Sequence, residues 1–317
     1  MKILVVMVRY KKPFSESLAF NGLCNAFSSH PELAKDYTVL IWDNSPETIV
    51  SPQFPFSFLY RGSKTNLGVS GAYNGAMEYA LEQGYPWMLL LDQDTRITYE
   101  ILLGMRRHSL NLLPRQEIAA IAPIVRVGSI VVSPKRLVVG RGRSYPAGES
   151  GIAPGEASAI NSGCIVRVAS LREIGGYSPD FWLDFSDRYV FHQFFVHGKK
   201  VWRAIDVELE HELSVMDYDR LMTPWRCRNF VSAETAFNDV YNSRLQNSIL
   251  TLQLFARAIK HRFKHDNPEF WRIAWDQFIY RLRVPRTVRI ARRLAEREKR
   301  VVQRIEMSGE TDRAVLS

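Results

Sequence analysis

Trp87-Met88-Leu89-Leu90-Leu91 runs without a polar break into Asp92-Gln93-Asp94. A short unbroken apolar run predicts a strand buried on both faces, as in a parallel sheet. Carboxylates cannot continue inside such a strand, so Asp92 and Asp94 belong at its carboxyl end, the edge where open α/β sheets bind ligands. Two acids one residue apart can face one side of a turn. There they can hold a hard divalent cation that bridges a diphosphate. The plain alternative is an Asp-rich turn leading to a helix that starts near Thr98. A second acidic stretch, Phe181-Trp182-Leu183-Asp184-Phe185-Ser186-Asp187-Arg188, opens a helix running to His197-Gly198. Asp184 or Asp187 can be an N-cap, favoured by the free N–H groups and the dipole there, or a general base at the mouth of a site.

The elements that must position these acids read in order. Residues 3–8 form a first buried strand, with Arg9-Tyr10-Lys11-Lys12-Pro13 as the loop at its carboxyl end. A helix follows from Ser15 to Ser29. Thr38 to Trp42 is a second strand, ending in the turn cluster Asp43-Asn44-Ser45-Pro46. Phe56 to Tyr60 is a third. The small, Gly-rich block Asn66 to Ala76 leads into a helix ending near Gly84, and the strand before Asp92 is the fourth. This β-α-β-β-α-β order predicts a nucleotide-binding α/β sheet. The spacing of Gly68, Gly71 and Gly75 argues against a dinucleotide fingerprint. Ile118 to Val127 is a further strand, and residues 140–158, rich in Gly, Pro and Ser, read as a flexible loop over the site.

Composition bounds the class. A chain of 317 residues with 46% hydrophobic content builds one large α/β domain with an appendage. Cys24, Cys164 and Cys227 are far apart and form no zinc or disulfide pattern, which suits a reducing compartment. The first apolar run is too short for a signal peptide, and no run reaches membrane-spanning length, so a cytoplasmic location is expected. The net charge is +9, and from Arg257 onward 16 Lys/Arg stand against 8 Asp/Glu, so nearly all the excess is C-terminal. Trp225 to Phe263 reads as helical and Trp271 to Tyr280 is aromatic-rich. From Val284 on, Val288, Ala291, Ala295, Val302 and Ile305 share one helical face among arginines. Residues 284–306 are therefore either a solvated packing helix or, the favoured reading, a helix that docks on an anionic membrane surface. No nucleic-acid motif is present.

With these motifs in hand, the chain resembles the inverting glycosyltransferases of the GT-A fold, family 2, and within them the bacterial rhamnosyltransferase branch. The resemblance rests on the first strand, Trp42-Asp43-Asn44, Asn66-Leu67-Gly68 through Asn74-Gly75, Asp92-Gln93-Asp94, Ser162-Gly163, Ile174-Gly175-Gly176-Tyr177 and Phe181 to Asp187, within residues 1–230. It implies a catalytic domain over 1–225 and a basic helical region over 226–317. It also implies metal-dependent transfer of a sugar, by likeness rhamnose from dTDP-rhamnose, to a glycan or lipid-linked acceptor. Val8, Arg9, Tyr10, Asp43, Asn66, Gly68, Gly71, Asn74, Asp92 and Gln93 would hold the nucleotide sugar, with Asp43 on the base. Asp92, Asp94 and His211 would hold Mn2+ or Mg2+. Ser162, Gly163 and Trp182 would lie on the acceptor side, and Asp187, or Asp184, would be the base.

Two departures from the family pattern stand out. Phe185 replaces the second acid of the usual Glu-Asp pair, and Ser214 replaces the glycine that often follows the histidine of Leu209-Glu210-His211-Glu212-Leu213-Ser214. A lone histidine is as readily structural as a ligand. Two other function classes remain. A nucleotidyltransferase would need a Gly-rich phosphate loop after the first strand, where Arg9-Tyr10-Lys11-Lys12 is basic without glycine. A non-catalytic nucleotide-sugar-binding protein would have no use for the acids at 92, 94, 184 and 187.

Overall fold

The computed structural model describes residues 2–45, 56–63, 65–138, 140–146, 148–210, 218 and 222–297. The chain divides into two compact units, Met1–Met216 and Asp217–Ser317.

The first unit opens with β1 (Ile3–Arg9), buried at all seven positions. Then come α1 (Leu18–Ser29), the short α2 (Pro31–Ala34), β2 (Tyr37–Asp43), β3 (Phe58–Gly62), α3 (Gly68–Glu82), β4 (Trp87–Asp92), α4 (Tyr99–Asn111) and β5 (Ile118–Val127). Strands β6 (Ile130–Ser133), β7 (Lys135–Val138), β8 (Arg141–Ser144), β9 (Gly151–Ile152), β10 (Ala157–Ser158) and β11 (Ile165–Arg167) lead to α5 (Val168–Glu173), α6 (Ser186–Val196) and β12 (Lys200–Glu210). Among the described residues the main sheet has nine strands, ordered β3-β2-β1-β4-β11-β5-β12-β9, with β6 beside β5. Strands β3, β2, β1 and β4 run parallel, β11 is antiparallel to both neighbours, and β12 is parallel to β5.

The unbroken apolar strands follow from coverage on both faces. Ile3, Val5 and Met7 of β1 pack with Leu23 and Phe27 of α1 and Leu102 and Met105 of α4. Leu4, Val6 and Val8 point the other way, toward Tyr73 and Ala76 of α3 and Phe191 and Phe194 of α6. Period-two alternation thus feeds two cores from one strand. At the start of β4 Trp87 is fully buried beneath the Arg167 guanidinium, 4.0 Å from the ring centroid.

Residues 140–158 differ from the expected loop. They carry β8, β9 and β10; β9 pairs with β12, and β10, β7 and β8 form a small separate sheet. The partners lie far away in sequence, Ala157 opposite Arg136 for instance, so local composition registered only the turns between them.

The second unit holds α7 (Pro224–Tyr241), α8 (Arg244–Lys264) and α9 (Glu269–Arg283), followed by a helical run over 286–297. Ser243 and Gln246 form a capping box that starts α8. Cys227, Val231, Leu250, Leu254, Phe270 and Ile273 make its core. The run 286–297 packs in an unexpected sense. Three of its arginines turn inward: Arg289 donates to both carboxylate oxygens of the buried Asp239, at 3.0 and 2.8 Å, Arg286 to the Asp239 and Asn242 carbonyls, and Arg293 to Thr235. Val288, Ala291 and Ala295 face solvent instead. Val302 and Ile305 lie outside the described residues.

Candidate active site

Parallel register brings the key side chains to one sheet edge. Val8 pairs with Trp42 and with Asp92, and Arg9 with Asp43. Arg9 Nη1 donates to Asp43 Oδ2, and both side chains are fully buried. Asp43 Oδ2 also accepts from the Tyr60 hydroxyl at 2.7 Å, and Oδ1 from the Ser45 N–H at 2.9 Å. Burial, then the bond to Asp43, pushes the Tyr60 hydroxyl up to about 12. Arg9 lies over the Phe14 ring, and its Nε donates to the Lys12 carbonyl. Asp43 is therefore the buried anchor of Arg9 and Tyr60, with its oxygens already engaged.

The glycine-rich block serves close approach. Gly68 has φ +68°, and a Cβ there would lie 2.1 Å from the Trp182 carbonyl oxygen. Only glycine fits both the backbone and the space. The Ser70 hydroxyl donates to the Phe181 carbonyl at 2.6 Å, so the start of α3 is fastened to the Phe181-Trp182 segment. Asn66 Oδ1 accepts from the Gly68 N–H at 2.9 Å, and Asn44 donates to the Gly68 carbonyl at 3.0 Å. Asn74 bonds the Tyr177 backbone through both ends of its amide, and a Cβ on Gly71 would lie 2.6 Å from Leu67 Cβ. Asn66, Gly71 and Asn74 thus help to hold the framework at this edge.

The D-x-D turn is held from both sides. Asp92 Oδ1 accepts from Tyr73 OH at 3.3 Å, and Oδ2 accepts a short hydrogen bond from the Ser162 hydroxyl. Gly163 N–H donates to the Leu90 carbonyl at 2.8 Å, fixing Ser162 beside the end of β4. The Gln93 carbonyl accepts from Ser17 Oγ at 2.8 Å, and its side-chain oxygen from the Tyr10 N–H at 3.0 Å. Asp94 is half-buried in the same turn.

Asp187 comes to this edge from α6. Phe185 precedes it in the left-handed region, φ 64°, unusual for a non-glycine residue, and turns the chain into the helix. Burial, joined by the neighbouring Asp184 and Asp92 charges and opposed by a bond from the Arg188 N–H, raises the Asp187 carboxyl to about 6. A relay positions it: Tyr177 OH donates to Asn161 Oδ1 at 2.9 Å, and Asn161 Nδ2 donates to Ser186 Oγ at 3.2 Å. Tyr177 also packs against Tyr73, centroids 5.2 Å apart. The base candidate and the D-x-D aspartate are thus tied into one framework. Tyr73, Asn161, Tyr177 and Ser70 were given no site role from the sequence, although Tyr177 stands in a motif that carries the resemblance and Ser70 and Tyr73 in the glycine-rich block.

For a divalent cation the donor set is sparse. The described residues hold no group of three His, Cys, Asp or Glu arranged as ligands, and His211 lies outside them. Asp92 and Asp94 at a strand end still suit Mg2+ or Mn2+, which commonly take one or two carboxylates and draw other ligands from substrate phosphates. The crowding of Asp184 and Asp92 around Asp187 is an excess of negative charge that such an ion would relieve.

No protein-family model matches the chain, and no curated protein matches it. Solved structures do. The crystal structure of S. aureus TarS 1–349 superposes with a TM-score of 0.50 at 16% identity over 88% of this chain and 80% of that one. The fold is of the GT-A type. The TarS 1–349 structures in complex with UDP-GlcNAc (TM-score 0.49, 16% identity, 88% and 81% covered) and with UDP (0.46, 14%, 84% and 74%) are also similar. The large mixed sheet flanked by helices is the architecture expected from the sequence.

Proposed function

We propose that the chain is a glycosyltransferase that moves a sugar from a nucleotide-diphosphate donor to an acceptor hydroxyl. The observation that carries this reading is the convergence of Asp187, with its raised proton affinity, on the Asp92-Gln93-Asp94 turn at the carboxyl edge of β1, β2 and β4. The GT-A fold supports a nucleotide-sugar donor. In the reaction the acceptor oxygen bonds to the anomeric carbon as the bond from that carbon to the diphosphate oxygen breaks. The leaving diphosphate keeps the electron pair. Asp187 takes the acceptor proton, and Asp184 is the second choice for that role. Attack by the acceptor oxygen, with a single base taking its proton, on the face opposite the leaving group gives inversion. Asp92 and Asp94 would hold Mn2+ or Mg2+, which neutralises the diphosphate charge when bound. Arg9, Tyr10 and Gln93 frame the nucleotide side of the edge, and Ser162, Gly163 and Trp182 the acceptor side.

Rhamnose carried by dTDP is the donor favoured by resemblance, with a glycan or lipid-linked acceptor and a working position on the inner membrane face. No helix among the described residues is long and apolar enough to cross a membrane. The test is a thermal-shift screen of nucleotide sugars with and without manganese or magnesium, followed by transfer assays on the binders. A concentration-dependent rise in melting temperature is expected for the true donor. Binding without turnover on any acceptor or water would favour a nucleotide-sugar-binding protein.

A further inference from the structure

Helix α8 has two apolar faces. Asn247, Leu250, Leu254, Ala258 and His261 face its own unit. Diametrically opposite, Leu245, Ile249, Leu252, Ala256, Ile259 and Phe263 recur at alternating spacings of four and three. Leu245 is 68% exposed, Leu252 67% and Phe263 84%. Twenty-one residues of helix span about 30 Å, so the stripe runs the helix's whole length. A helix apolar on both faces is normally covered on both, and here the outer one is open.

The surface is wider than one helix. Phe255 lies 6.2 Å from Trp275 and 5.2 Å from Phe278 of α9, centroid to centroid, and Leu282 of α9 is 62% exposed. Cations surround it: Arg244, Lys260, Arg262, Lys264, Arg272 and Arg283 are all exposed. Against them stand Asp266 and Asp276, since Glu269 is paired with Arg228 at 2.9 Å. A second copy would bring the same cations against these. A broad apolar strip edged by tryptophan and by exposed cations that form no ion pair among the described residues is complementary to lipid headgroups of negative charge.

We propose that the outward face of α8 and α9 docks in the plane of an anionic phospholipid surface. The basic run after Val284, the stretch the sequence nominated for this, has its Arg286, Arg289 and Arg293 engaged inward. The proposal does not rest on the transferase reading, and donor binding tests that reading separately.

The experiment is flotation of the full chain with phosphatidylglycerol-containing vesicles and with neutral phosphatidylcholine vesicles, at low and high salt, alongside light scattering without lipid. Wild type is expected to float with the anionic vesicles only, and less at high salt. Leu252→Glu with Phe263→Glu should cut the bound fraction about tenfold or more. Lys260→Glu with Arg262→Glu, at surface positions that any folded variant tolerates, should do the same. Val288→Glu with Leu294→Glu should bind as wild type. Failure of wild type to float at low salt overturns the proposal, as does undiminished binding by both α8 variants. So does a wild-type dimer that Leu252→Glu with Phe263→Glu dissociates, because the face would then be covered by a second copy.

Discussion

The Asn74 side-chain amide grips the Tyr177 backbone at both ends: Nδ2 donates to the carbonyl at 2.8 Å, and Oδ1 accepts from the N–H at 2.7 Å. It closes against Gly176, where a Cβ would lie 2.5 Å from Asn74 Oδ1. One residue of α3 thereby fixes Tyr177, whose hydroxyl begins the relay through Asn161 to Ser186 at the start of α6. Asn74→Ala leaves two backbone groups without partners and should cost about 1–3 kcal/mol of stability. Because it also loosens α6, turnover should fall at temperatures where the variant is still folded. Chemical denaturation and kcat measured well below the transition test both effects. Unchanged stability would show that the clamp is dispensable.

Asp187→Asn should lower turnover by about 10²–10⁴-fold while donor binding persists. As a base, Asp187 must be ionised, so wild-type activity should drop as pH falls through about 6. The stability sign is opposite to that of a salt-bridged acid. The folded-state pKa lies above the ordinary carboxylate range, so protonation favours the fold. That contribution is full at acid pH and is lost as pH rises through about 6. Asparagine mimics the neutral form. In metal-free buffer the variant should melt at or above wild type at pH 8, and the gap should shrink toward pH 4. A variant that melts lower at pH 8 would contradict the raised proton affinity.

Asp94→Asn should remove most transfer activity and leave the melting temperature of the free protein nearly unchanged. Chelation of wild type should mimic it, with manganese or magnesium restoring activity to wild type alone. Activity undiminished by either treatment would rule out a metal held by this turn.

Asp43→Ala strands the buried Arg9 charge and should destabilise the first unit by about 3–5 kcal/mol. Asp43→Ala with Arg9→Met removes both charges and should recover much of that loss. A double variant as unstable as the single one would mean the pair is valued for its hydrogen bonds to Tyr60 and Ser45 and not for charge balance.

The strands and the acids at their ends were legible because burial on two faces demands continuous apolar runs, and Asp92 and Asp94 mark where burial stops. The order of elements up to β4 followed from those runs and the turns between them. The inward or outward sense of a side chain was not legible. That Asn74 bonds the Tyr177 backbone and Asp43 bonds Arg9 could not be read from residue type, because those partners are fixed only when α3 meets the 177–182 segment and β1 aligns with β2. The same holds at the C-terminus. The arginines after Val284 read as a surface charge, but Asp239, some fifty residues earlier, draws Arg289 inward. Periodicity states that a face exists. Which face is covered depends on long-range pairing, and that was decided by the tertiary structure.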